Sequence, residues 1–499
     1  MRVCICLIFF VIIDAQVWES SFTAGSFDDN NNFMGGSEVL QLVSHKNKLF
    51  ASISYWQDES NIWYGGNNSN IGWAQIISLN NPNENWTVDL DLDSYYLRPE
   101  ILKQVVFTKD MYGNSLSTPD SLLIVAAYSS NFVFGPVTAS AFIRNDQTNS
   151  WNVTTIYEGD LPAGESYSIR DMQIHTDQVT GEEMLFTSVG TNGIFSGKYN
   201  PNLEGKIQWN SIPEYGSLNM RPLSIVVADN VLYFSSGNKI YKRIDGANPS
   251  YSIVHDFSDL SSNINSAVGG IRGLTVTSNE ENESMLLMWC PNSQSKGTIF
   301  RLDPNSDGSF TRIYETKLSL LVEDYLPGTS VNYLLGAYNN FLKIFNPTDN
   351  EYYHIVGFES TIEGENYPSW NGYYSGALFA VRNSNAEYFL EEVNESISFT
   401  DPELVATRCY TESPFNNENA IYFGGFDPNG FLSTNKAWIY KKINTLNGDF
   451  NNDGLVNILD VVQLLNSVLT NENNNNFDIN QDGIVNILDI VQLVNIILN

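Results

Sequence analysis

The sequence predicts a mainly β fold, a propeller, followed by a small all-helical tail. Three observations carry that reading. From about residue 37 to 442, short alternating or apolar strands are broken by Gly, Asn, Pro and Asp clusters. Helical periodicity is almost missing over the same stretch. In the last 52 residues an acidic loop occurs twice, each time ahead of an apolar run at helical spacing.

The strands come first. Val39 to Val43, Leu122 to Ala127, Leu223 to Ala228, Val231 to Phe234 and Leu286 to Trp289 are examples. Strands this dense over some 400 residues exceed one sandwich and point to radial repetition. A weak repeat agrees, each unit closing on an aromatic-bearing strand such as Trp86-Thr87-Val88, Trp151-Asn152-Val153 or Tyr251-Ser252-Ile253. Units at 37–93, 97–161, 165–216, 221–260, 269–320, 330–396 and 404–442 give seven blades, with six or eight as alternative counts. The pattern matches no named repeat.

The tail holds the sharpest signal. One loop runs from Asp449 to Asp460 and the other from Asp478 to Asp489. Oxygen-bearing side chains stand at loop positions 1, 3, 5, 9 and 12, with Gly454 and Gly483 at position 6. A hard cation wants six to eight oxygens, and the chain must turn sharply at the glycine, so this spacing is that of a calcium loop. No helix precedes either loop. Val461, Val462, Leu464, Leu465 and Val468 follow the first; Ile490, Val491, Leu493, Val494 and Ile497 follow the second.

This loop-then-helix duplication, 29 residues apart, resembles the type I dockerin module, and residues 448–499 cover its whole length. The resemblance implies two calcium ions. One would be held by Asp449, Asn451, Asp453, Asn457, Asp460 and the Leu455 carbonyl. The other would be held by Asp478, Asn480, Asp482, Asn486, Asp489 and the Ile484 carbonyl. It also implies docking to a cohesin or another surface protein. Dockerins of well-studied cellulosomes carry hydroxyl residues at loop positions 10 and 11. Here Ile458-Leu459 and Ile487-Leu488 stand there, so an apolar docking surface and packing inside the module are both open.

Residues 1–15 read as a secretory signal, with Arg2, an apolar run from Val3 to Ile13, and Ala15 near a cleavage point. The run is too short to span a bilayer, and no other stretch nears 18 apolar residues. Residues 16–36 form an N-terminal segment, 37–442 the propeller and 443–499 the module. Past the signal only Cys290 and Cys409 remain, to pair or to stay as buried thiols. A net charge of −32 argues against nucleic acid and anionic membranes as ligands and suits a secreted protein.

Within the propeller, an arginine stands near the start of the opening strand in five units: Arg98, Arg170, Arg221, Arg272 and Arg408. Opening strands are innermost, so five guanidiniums would ring the channel mouth and bind carboxylate or sulfate groups through forked hydrogen bonds. Local pairing with Glu100, Asp171 or Glu412 is the structural alternative. Catalytic motifs are missing; Tyr410 and His175 are candidates for proton transfer, and the abundant acids could supply paired carboxylates for glycoside hydrolysis from many places. Aromatic loops at Tyr55, Trp56, Trp63, Tyr64, Trp73 and at Tyr367, Trp370, Tyr373, Tyr374 suit sugar stacking or packing between blades.

These features predict a secreted carbohydrate-active protein. Its propeller would bind an anionic polysaccharide and cleave it as a glycoside hydrolase or polysaccharide lyase. The tail would tether it. A non-catalytic lectin-like or adhesion propeller, and an enzyme unrelated to glycans, are the other readings.

Overall fold

The computed structural model describes residues 17–55, 72–92, 95–130, 136–160, 168–216, 218–265, 269–278, 283–336, 340–346, 351–364, 374–394, 404–416, 418–426, 436–443, 448–451, 456–470, 477–479 and 484–498. Two compact units emerge, one built mainly from 20–414 and 422–440, the other mainly from 441–499. The first is a β-propeller.

Its strands fall into four-stranded antiparallel sets in chain order. The first runs Glu38–His45, Lys48–Ser54, Gln75–Leu79, Thr87–Asp91. The second runs Ile101–Lys109, Ser115–Ser130, Pro136–Asn145, Ser150–Asp160. The third runs Met172–Thr176, Glu183–Ser188, Gly193–Tyr199, Ile207–Trp209, with Tyr215–Gly216 also paired to Gly193–Tyr199. The fourth runs Pro222–Ala228, Val231–Ser236, Lys239–Ile244, Ser250–Asp256, and the fifth Gly270–Ser278, Glu283–Cys290, Thr298–Pro304, Phe310–Lys317. The sixth departs from sequence order: Leu342–Asn346, Glu351–Gly357, Leu378–Arg382, Tyr388–Glu392, beside a separate pair Thr329–Leu335 and Glu359–Gly364. The seventh is Ala406–Glu412, Ala420–Phe426, Trp438–Ile443 and then Val17–Thr23. That last strand comes from a segment the sequence reading leaves outside the sheets. Phe426 pairs with Glu38, so the final set meets the first.

Second strands are largely buried because both faces are covered by neighbouring sets. Ile124, Phe186, Phe234, Leu286 and Phe423 are buried in this way. The cores run across set boundaries, joining Val105, Ala139 and Ile143 of the second set to Leu185 and Phe195 of the third.

Polar latches reinforce alternate boundaries, and they repeat. Arg144 grips Asp89 of the preceding set through two bonds of 2.9 Å, and Trp151 donates to the same carboxylate at 2.7 Å. Arg243 grips Glu214 at 2.7 and 3.1 Å, and the Tyr251 hydroxyl donates there at 2.6 Å. Arg382 grips Glu315 at 2.7 Å twice, and Tyr388 donates to it at 2.5 Å. In all three the arginine and the aromatic are cross-strand partners on the third and fourth strands. Forked arginine–carboxylate pairs fix geometry as well as charge.

Candidate functional site

The inner strands converge on a cavity of about 210 Å³, lined among others by Gln41, Lys103, Arg170, Asp171, Arg272 and Asn340. These residues come from the first, second, third, fifth and sixth sets, so the cavity lies on the propeller axis. Arg170 and Asp171 immediately precede Met172–Thr176, and Arg272 lies near the start of Gly270–Ser278.

Of the five arginines, Arg170 and Arg272 line this cavity, and each of the five has a different setting. Arg98 binds Glu38 through Nη2 at 2.8 and 3.2 Å. Arg408 reaches Glu359 through Nη2 at 2.7 Å, keeps Nε 3.9 Å from Glu38 and stacks 4.7 Å above the Phe426 ring. Arg170 donates to Ser168 at 2.5 Å and lies 3.9 Å from Glu100, while Arg272 donates to the Gly336 carbonyl at 3.4 Å. Arg221 stands half-buried before Pro222–Ala228.

Tyrosine hydroxyls report the convergence. Burial and then Glu100 push the Tyr128 phenol up, and the charges of Arg98, Arg170 and Arg221 pull against that. Tyr333 is raised by burial and by Glu359, opposed by Arg272 and Arg408. One tyrosine therefore feels three arginines and the other feels two. Burial, and then the charge of Arg170, push the Arg272 guanidinium down.

Three acids of this ring are almost wholly buried: Glu38, Glu100 and Glu359. Glu38 also accepts from Ser54 at 2.9 Å, and Glu100 accepts the Ile169 N–H at 2.6 Å. Glu38, Glu359 and Lys103 are the site residues that sequence reasoning missed. Lys103 donates to Asp171 at 3.1 Å and Gln173 at 3.3 Å. Asp171 also accepts the N–H groups of Met172 and Ile225, each at 2.7 Å.

The two proton-transfer candidates separate. His175 binds Asp245 at 2.9 Å in the Arg243 latch. The Tyr410 hydroxyl donates to the carbonyl of Asn340, a cavity residue, and accepts the Gly357 N–H at 3.1 Å. Of the aromatic loops, Tyr55 is buried, and Trp73 meets Tyr95 at 5.6 Å. Trp56, Trp63, Tyr64, Tyr367, Trp370 and Tyr373 lie outside the described residues. Cys290 and Cys409 are both buried free thiols.

In the second unit, helices Ile458–Thr470 and Ile487–Leu498 close on Leu464, Phe477, Ile479, Ile490 and Leu493. Asn457 and Asn486 cap them, their side-chain oxygens accepting from Leu459 and Leu488 at 2.8 Å. Asp460 is fully buried and accepts the N–H groups of Phe450, Asn451 and Asn457 at 2.8, 3.2 and 2.8 Å. Asp489 is equally buried and accepts from Asn486 at 2.8 Å. Asp449 is also buried. Residues 443–499 contain no Lys, Arg or His. Three carboxylates buried in a segment without basic residues, at the oxygen positions of calcium loops, fit a bound cation. Asp453, Leu455, Asn480 and Asp482 lie outside the described residues. Ile458, Leu459, Ile487 and Leu488 are each more than half exposed, so they do not build the module core.

The comparisons bear on both units. Residues 447–498 match the model of the dockerin type I domain, so the tail is a type I dockerin module, a class that binds calcium. No curated protein sequence matches the chain. Among solved structures, the propeller is similar to the GH93 α-L-arabinofuranosidase of Fusarium graminearum in complex with arabinobiose. Identity is 10%, with 69% of this chain and 92% of that one covered and a TM-score of 0.38. The Penicillium chrysogenum α-L-arabinanase complexed with arabinobiose gives 11%, 69% and 93%, and 0.39. A GH43 β-1,3-galactosidase gives 9%, 74% and 98%, and 0.30. Likeness this distant carries nothing about substrate. Among the described residues, no helix is long and apolar enough to cross a membrane.

Proposed function

We propose that this chain is a secreted carbohydrate-active protein. The propeller binds an anionic polysaccharide at its axial cavity, and the dockerin module tethers it to a cohesin-bearing partner through calcium. The dockerin module in the same chain as the propeller carries this reading. We take the seven four-stranded sets as seven blades.

In the module, two calcium ions are assigned, one to Asp449, Asn451, Asp453, Leu455, Asn457 and Asp460, the other to Asp478, Asn480, Asp482, Ile484, Asn486 and Asp489. Each ion would neutralise its carboxylates and so drive a small core to fold. The exposed pairs Ile458-Leu459 and Ile487-Leu488 are the docking contacts, which calls for an apolar face on the partner.

In the propeller, Arg98, Arg170, Arg221, Arg272 and Arg408 organise the ligand site around the cavity. Tyr410 is better placed than His175 for proton transfer, because its hydroxyl meets a cavity residue. A non-catalytic, lectin-like propeller is the second reading. It is favoured by Asp171, the cavity carboxylate whose two oxygens are both already engaged.

Incubating the whole chain, with calcium, against neutral, uronate and sulfated polysaccharides tests this. Retention should follow the acidic chains, and new reducing ends or unsaturated products separate enzyme from lectin. Inertness toward every polysaccharide would refute the propeller's assignment.

A further inference from the structure

The five ring arginines are not equivalent. Arg98 and Arg408 share Glu38, which has no exposed surface, and Arg408 also holds Glu359. Each is therefore engaged with a buried carboxylate. Arg170, which also lies 3.9 Å from buried Glu100, and Arg272 line the cavity, and so does Lys103, whose side chain keeps about a third of its surface exposed (33%). These three cations come from the second, third and fifth sets and face one space with a single carboxylate, Asp171, to which Lys103 donates at 3.1 Å.

Size limits what that space holds. Pockets that enclose a drug-sized ligand run to roughly 300–1,000 Å³. At about 210 Å³ this cavity admits one sugar unit or one side substituent, rather than a length of chain. Gln41 and Asn340 supply amide groups on the same wall, suited to hydroxyls.

Resting on the carbohydrate-binding reading above, we infer that Lys103, Arg170 and Arg272 form an oxyanion clamp. It takes a single terminal or pendant acidic sugar unit, recognised by its carboxylate or sulfate ester. Two guanidiniums converging on one cavity repel each other, and burial together with the Arg170 charge already pushes the Arg272 guanidinium down. An oxyanion between them offsets that repulsion and gains charge-assisted hydrogen bonds from both sides. Arg98 and Arg408 position the ring by fixing Glu38 and Glu359.

The test is calorimetric titration of the intact chain, in calcium, with digalacturonate, a sulfated disaccharide and neutral cellobiose. At least one acidic disaccharide should bind about tenfold or more tightly than the neutral one, a charge-assisted contact being worth at least that factor. Whichever acidic disaccharide binds more tightly names the group. Lys103→Gln and Arg272→Lys should each reduce the ratio of acidic to neutral binding about tenfold. Lys239→Gln, outside the cavity, serves as control. Melting temperature checks folding, and partly exposed Lys103 is the safer substitution if Arg272→Lys destabilises the protein. Equal binding of acidic and neutral disaccharides, or an acid preference unchanged in a normally melting Lys103→Gln protein, would overturn the clamp alone. Failure to retain any glycan, long or short, would overturn the binding reading along with it.

Discussion

The propeller and the tail both bury carboxylates, and they neutralise them differently. In the propeller several such acids meet a guanidinium, Glu38 with Arg98, Glu359 with Arg408 and Asp177 with Arg243, while Asp171 meets Lys103 and Glu183 is held by the Thr108 hydroxyl and two backbone N–H groups. In the tail, Asp449, Asp460 and Asp489 are buried in a segment without Lys, Arg or His. A covalently attached cation makes a unit self-sufficient. A diffusible one makes folding conditional on its concentration. On the proposed reading, carboxylates held by resident cations build a constitutive scaffold, and those held by calcium build a switchable tether.

Breaking a latch should have the largest effect. Arg243→Met strands Asp177, Asp245 and Glu214, and should cost about 3–5 kcal/mol in denaturant unfolding of the propeller. The tail's calcium response should not move. Next comes Asp460→Ala, which removes a loop-closing carboxylate and should raise the calcium needed to fold the tail by about tenfold or more, with the propeller's melting unchanged. Calcium titration followed by helical circular dichroism reads it.

Tyr251→Phe sharpens the propeller side. It deletes one hydroxyl donor to Glu214 but leaves the Arg243 fork, so a loss of about 1–2 kcal/mol is expected. The last effect is conditional on pH and vanishes at neutrality. Burial, and then the charges of Arg382 and Lys343, bring His354 down from 6.5 to about 4. The unfolded chain then binds the extra proton between pH 6.5 and 4, so stability falls as pH drops through that window and is unaffected above it. His354→Gln should flatten that slope in unfolding measured at pH 7 and at pH 4.5.

What was legible in the sequence follows from the range of the interactions. Calcium loops pack their ligands into 12 residues, so spacing alone exposes them. Strand alternation is equally local and gives the propeller. The recurrence of arginine near the starts of inner strands was legible, and two of the five, Arg170 and Arg272, line the cavity. Glu100 was legible as a nearby acid, but Glu38 and Glu359 were not, since Arg98 and Glu38 are 60 residues apart and meet only when two sets pack. Lys103 was overlooked because it sits inside an ordinary strand, Ile101–Lys109. The latches did leave a trace: Arg144-x-Asp146 before Trp151 and Arg243-x-Asp245 before Tyr251 share one spacing theme. The pairing of Val17–Thr23 with Trp438–Ile443 left none, because nothing local marks two distant segments as neighbours.

Chelation of the intact protein is the most direct test of this division. With calcium removed, limited proteolysis should cut within residues 448–499 and cohesin capture should vanish, while the propeller keeps its thermal transition. Re-adding calcium should restore both. A tail that resists proteolysis equally with and without chelator would show that its buried aspartates need no ion, and the contrast between the two units would fall.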